Sequence, residues 1–150
     1  MRRPRPQALD AWSSLLVAHR KLTSDLDGDL RRACDMRLDE YDALFQIREA
    51  GGAVRMADLA DGLLVSRAST TRLVDRLVER GWVERWSDEG DRRVVLVDLT
   101  RSGRAAQTRA ARVHLDGIAR RFDDHIAEAD LATLAHTLED LAGTDAVPDR

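Results

Sequence analysis

Apolar residues recur at intervals of three and four along most of the chain, the spacing of helices that bury one face. The longest such stripe comes first: Leu9, Trp12, Leu15, Leu16, His19, Leu22, Leu26 and Leu30 predict a helix over 8–33. Tyr41, Leu44, Phe45 and Ile47 predict a second, capped by Asp39, running to Ala50 and stopped by Gly51 and Gly52. A short third helix turns Leu59, Ala60 and Leu63 inward. The fourth begins at Ser66, whose hydroxyl suits a free backbone amide at a helix start. It places Thr70, Leu73, Val74, Leu77 and Val78 on one face and runs to Arg80, with Gly81 as a left-handed stop. Then the period changes. VERW, a turn-rich SDEG and RRVVLVDL read as two β-branched strands joined by a hairpin loop. Helical spacing returns over 101–126 (Ala106, Ala110, Val113, Ile118, Phe122, Ile126) and near 129–142 (Leu131, Leu134, Leu138, Leu141), with Gly143 as the end.

The first stripe is longer than a small core requires, so it predicts packing against another long helix, for which 101–126 is the candidate. Surplus apolar faces at both ends of the chain, around a central polar-faced module, predict a homodimer built from 8–33 and 101–143. A monomeric bundle burying the same stripes is the alternative. With 150 residues, one domain spanning 1–150 is expected. Residues 1–7 (MRRPRPQ) read as a flexible basic arm and 144–150 as a frayed tail.

The central module, 38–99, carries the chemistry. Two short helices separated by three or four residues have helix-turn-helix spacing. Ala68, Ser69, Thr71, Arg72, Asp75, Arg76 and Glu79 lie on or beside the outer face of the second. Hydroxyls and arginines near a helix start suit a DNA major groove: Ser66, Arg67, Ser69, Thr71, Arg72 and Arg76 are candidates for contacts to phosphates and base edges. At the hairpin's exit, Arg92 and Arg93 suit the neighbouring minor groove. Asp91 either orients one of them through a charge-assisted hydrogen bond or serves as a turn residue. The layout is a mainly α, α+β winged helix-turn-helix flanked by dimerisation helices.

Charge tempers this. The net charge is −3, and from Ser66 to Arg93 seven arginines face six acidic residues, so nonspecific DNA affinity should be modest and salt-dependent. The expected function is a sequence-specific DNA-binding transcriptional regulator with double-stranded operator DNA as partner. A winged-helix protein-interaction module without DNA affinity is the alternative. Hydrophobic content of 43% and charged content of 34% describe a soluble globular chain. No apolar run approaches the ~20 residues of a membrane span, and the Arg-rich start lacks a signal peptide's apolar segment. No membrane partner is expected. The single cysteine, Cys34, excludes an internal disulfide and fits a cytoplasmic location. His19, His114, His125 and His136 form no zinc spacing with it. Phosphate-binding glycine loops and nucleophile elbows are absent, so no catalytic residue, metal or cofactor is expected.

SRASTTRLVDRLVERGWVER followed by DRRVVLVDLTRSG resembles the core of the MarR family of bacterial transcriptional regulators. The wing signature D-x-R falls on Asp91 and Arg93, and the L-T-x-x-G opening the next helix falls on Leu99, Thr100 and Gly103; the resemblance extends over roughly 8–142. It implies a homodimeric repressor on a pseudo-palindromic operator, and a short strand at Ala53-Val54-Arg55 beside the wing. It also implies release by a small anionic or phenolic effector, or by oxidation. Such ligands bind between the dimerisation helices and the DNA-binding module in this family, on segments that here carry Trp12, His19 and Asp42. Packing is the alternative role for Trp12. Asp42, Arg72 and Arg85 match ligand-supporting positions of the family's urate-responsive branch, whose ligand-contacting Trp lies on an additional N-terminal helix that this chain is too short at its start to contain. Oxidant sensing falls to Cys34, where Arg31 and Arg32 favour the thiolate and Asp35 opposes it; a buried, inert thiol is the alternative.

Overall fold

The computed structural model describes residues 3–63 and 65–143; the expected frayed tail, 144–150, lies outside the described residues. In chain order come α1 (Pro6–Cys34), α2 (Leu38–Glu49), β1 (Val54–Arg55), α3 (Met56–Gly62), α4 (Arg67–Glu79), β2 (Val83–Ser87), β3 (Val95–Leu99), α5 (Arg101–Arg121), a 3-10 turn (Asp123–His125) and α6 (Glu128–Ala142). Two compact units result, one through Leu115 and one from Asp116.

In the first unit, α2 supplies the middle of the core. Tyr41, Ala43, Leu44 and Ile47 are buried against Leu30 and Met36, against Leu73, Val74 and Leu77 of α4, and against Val97 and Leu99 of β3. The sheet is antiparallel in the order β1-β3-β2, so β3 is central. Val97 pairs with Val54 on one side and with Arg85 on the other, so the strand expected at Ala53-Val54-Arg55 forms over Val54–Arg55. The second unit contains the end of α5 and α6, where Leu131, Leu134 and Leu138 are half-buried and Leu141 is exposed.

Helix α1 starts at Pro6, inside the stretch expected to be a flexible arm. Proline at the first helical turn lacks only an amide that would be orphaned there, and its fixed φ already suits the helix. The stripe along α1 divides. Leu26 and Leu30 are buried, whereas Leu9, Trp12, Leu15 and Leu16 are exposed, Trp12 at 59%. Within this unit α5 does not cover them: Ala106 and Ala110 turn toward the α2 core.

The second helix is capped differently from the sequence expectation. Arg37, not Asp39, is the N-cap residue of α2. Its N–H donates to Glu40 Oε2 at 2.9 Å, and the Leu38 N–H donates to Asp27 Oδ1 on α1 at 2.9 Å. Burial pushes the Asp27 carboxyl up, but the Leu38 amide and Arg31 outweigh it and hold the group below the usual carboxylate range. Asp39 is left in the first turn, paired with Arg37 and Arg76.

Val78 also departs from expectation. The inward arc of α4 is filled by Thr70, Leu73, Val74 and Leu77, and Val78, 100° beyond Leu77 and one residue before the helix ends, is exposed. Gly81 takes the expected left-handed φ of 67°. The Thr100 N–H donates to Trp82 O at 3.0 Å, and the hydroxyls of Thr100 and Ser102 donate to Gly81 O at 2.7 and 2.6 Å. A Cβ on Gly103 would drive into the Trp82 carbonyl. The L-T-x-x-G segment thus fastens the start of α5 to the turn after α4.

Candidate nucleic-acid interface

Ser66 caps α4: its Oγ accepts from the Ser69 N–H at 3.2 Å and donates to Ser69 Oγ at 2.9 Å. Thr70, fully buried, satisfies its hydroxyl on Ser66 O at 3.2 Å, which lets a polar residue sit in the core face. The opposite face of the first two turns is open. Ser66, Arg67, Ser69, Thr71 and Arg72 are all exposed, at the positive end of the helix. Thr71 Oγ1 donates to Arg67 O at 2.9 Å and Arg72 Nε to Ala68 O at 3.4 Å, so both side chains lie along the helix.

Arg76 goes elsewhere. Its Nη2 donates to Asp39 Oδ2 at 2.9 Å and its Nε lies 3.8 Å from Glu40 Oε1, which ties the middle of α4 to the start of α2. Asp75 pairs with Arg85 of β2 at 2.6 Å, so its negative charge is balanced beside the exposed face.

The wing is a closed turn. Asp88 Oδ2 accepts from the N–H groups of Gly90 and Asp91, each at 3.1 Å, and the Asp88 N–H and Val94 O close the loop at 2.9 Å. Asp91 Oδ1 accepts from the Arg93 backbone N–H at 3.0 Å, which is the turn role; its link to Arg93 runs through the backbone and not the guanidinium. Arg92 and Arg93 are exposed at the tip.

The residues considered for an effector are not gathered at one place in the chain. Trp12 and His19 lie on the exposed part of α1, and Asp42 lies on α2, with no hydrogen bond or ring contact among them. Asp42 is exposed on α2; partial desolvation by its surroundings foremost, then the charge of Asp39, pushes its carboxyl up to about 6. Arg85 serves Asp75, and Arg72 stays on its own helix. Cys34 is a free, half-buried thiol at the end of α1, packed against the core.

One pairing was not foreseen. Tyr41 and His114 bring their rings to 4.5 Å, tilted by 38°. Burial lowers the His114 pKa and raises that of Tyr41, and His114 Nδ1 is buried without a hydrogen-bond partner. No local motif joins positions 41 and 114; only the apolar period through Ala110 and Val113 hinted that this part of α5 faces inward.

The MarR family profile matches residues 35–94. Among characterised proteins, the chain is 30% identical to the multiple antibiotic resistance protein MarR of Escherichia coli over 105 residues, 70% of this chain and 72% of that protein. It is 33% identical to the regulator PecS of Dickeya dadantii over 79 residues, which is 51% of this chain and 48% of PecS, so it spans about half of that relative's length. Among solved structures, it resembles Sco3205, a MarR family regulator from Streptomyces coelicolor in complex with DNA. The TM-score is 0.88 at 26% identity, over 95% of this chain and 89% of the other.

Proposed function

The chain belongs to the MarR family of transcriptional regulators, and from that premise we propose that it is an effector-responsive repressor that binds a pseudo-palindromic operator as a homodimer. In this reading Ser66, Arg67, Ser69, Thr71 and Arg72 enter the major groove. Arg92 and Arg93 reach the adjacent minor groove, with Asp91 fixing the turn that presents them. The observation that carries the reading is the pairing of an exposed, Ser-capped helix start with an exposed two-arginine tip on one small module. Arg76, committed to Asp39, acts by holding α4 on α2, not by direct contact. The exposed Leu9, Trp12, Leu15 and Leu16 supply the face on which two copies join. A twofold dimer would then carry two copies of α4 to half-sites about one helical turn apart.

The experiment is fluorescence anisotropy with the DNA upstream of the protein's own coding sequence, across a salt series, with molecular mass determined on the same sample. Tight binding by a dimer, weakening steeply with salt, is the expected result. A folded dimer that binds neither this fragment nor a genomic DNA library would favour the protein-interaction module instead.

A further inference from the structure

Arg72 and Arg76 stand one turn apart on the outer arc of α4. Arg72 lies along its own helix, whereas Arg76 is turned aside onto Asp39, its Nη2 donating to Oδ2 at 2.9 Å. Arg37 Nε lies 3.1 Å from the other oxygen of Asp39 and steadies that carboxylate from the far side. Two carboxylates of α2 therefore meet Arg76, and they differ in kind. The Glu40 side chain is 3% exposed, accepts from the Arg37 N–H and pairs with Arg80, so it belongs to the frame of the fold. The Asp39 side chain is 42% exposed and pairs with Arg37 and Arg76.

An ion pair this open to water adds little to stability, because solvent screens it and two side chains must be held still. Its effect on charge is larger. From Ser66 to Arg93 seven arginines face six acidic residues, so withholding one guanidinium removes most of the local positive excess. A carboxylate and a phosphate offer a guanidinium the same kind of charged acceptor oxygens, so one can stand in for the other. Asp39 does not use the whole guanidinium either: Arg76 Nε is buried without a hydrogen-bond acceptor.

We propose that Asp39 is an internal competitor of DNA: it occupies Arg76 in place of a duplex phosphate and holds DNA affinity below what the arginines of α4 would otherwise give. The role rests on the DNA-binding reading of α4 and deepens it by naming the residue that limits affinity. In the wild type Arg76 stays on α2, and the start of α4 makes the contacts. Phosphate contacts carry no sequence information, so the restraint applies to every duplex alike and leaves base readout by the first turns of α4 intact. The bound state is thereby kept weak enough to be released.

The test is fluorescence anisotropy of the full chain with the upstream DNA and with a shuffled duplex of the same composition, across a salt series. Asp39→Asn keeps the shape and removes the charge. It should melt as the wild type does, bind both duplexes about tenfold more tightly near ~0.1 M salt, and steepen the slope of log Kd against log salt by about one. Asp39→Asn combined with Arg76→Gln should return to wild-type affinity. Glu49→Gln, the same charge change at the exposed far end of α2, should not tighten binding. Equal or weaker affinity in Asp39→Asn, tightening that survives Arg76→Gln, or the same tightening in Glu49→Gln would each overturn the proposal while leaving the DNA-binding reading in place. A wild type and an Asp39→Asn variant that bind neither duplex would overturn both.

Discussion

Arg80 at the end of α4 places Nη1 3.5 Å from Oε2 of Glu40, a carboxylate at 2% exposure in the first turn of α2. The same guanidinium donates to Asp35 O at 2.6 Å and Asp35 Oδ2 at 3.0 Å, and its Cζ lies 3.9 Å over the Trp82 ring. Asp35 is the C-cap of α1 and the one non-glycine residue of positive φ among those described, at 49°. A single side chain therefore ties together the end of α1, the start of α2, the end of α4 and the approach to β2. The angle at which α4 is presented is fixed by this charged clasp as well as by the apolar core beneath it.

Removing the carboxylate from the clasp should be costly, because it leaves Arg80 and Arg76 facing a buried gap and frees the Arg37 amide. Glu40→Ala is expected to lower stability by about 3 kcal/mol. A urea titration checks this. A midpoint within error of wild type would show that the clasp adds nothing to folding.

Asp42 should make stability fall as pH rises. Its folded pKa, about 6, exceeds the ordinary value of 3.8, so the folded state keeps the proton after the unfolded state has lost it. The loss of stability should therefore develop between those two values and be complete above about 6. In Asp42→Asn that descent should vanish, leaving the variant favoured over wild type at neutral pH and not below pH ~3.8. Thermal melts of both proteins across this range decide it; parallel curves would mean that the carboxyl titrates normally.

Arg93→Ala tests the wing. Its side chain makes no contact that the fold needs, so melting should be unchanged. Operator affinity should drop about tenfold, the size of a lost charged contact, and the slope of log Kd against log salt should shrink by about one. Equal affinity at matched salt would remove Arg93 from the interface.

Leu16→Glu tests the exposed stripe. A charge in the middle of a face shared by two copies should convert the dimer to a monomer, with retained helicity and loss of high-affinity operator binding. Light scattering gives the mass directly. An unaltered dimer would move the contact to another surface.

The helices, the hairpin and the Ser66 cap were legible in the sequence because each depends on neighbours in the chain: apolar spacing, a hydroxyl before a helix, a turn between β-branched runs. What escaped depends on distant partners. Nothing around Asp39 says that Asp27, one helix earlier, will take the Leu38 amide and that Arg37 will therefore be the cap. Arg76 shares an outer arc with Arg72 on a helical projection, but only the placement of α2 reveals that one is captured by Asp39 and the other is left outside. The Tyr41–His114 contact spans two elements far apart in the chain and follows no spacing rule. The candidate interface was thus readable where it is a continuous surface of one helix and one loop. The ion pairs that trim it were not.

The hydrogen-bonded wing turn has a further consequence, for digestion by proteases. Most arginines of this chain lie within helices, where the backbone cannot enter a protease cleft without local unfolding. Arg92 and Arg93 lie side by side on an exposed loop, closed only by Asp88, Asp91 and Val94. Brief trypsin treatment should nick the chain there first and separate β2 from β3 while much of the core persists. Bound operator would shield that bond, so the rate of a single cleavage would report occupancy of the wing without any label on protein or DNA.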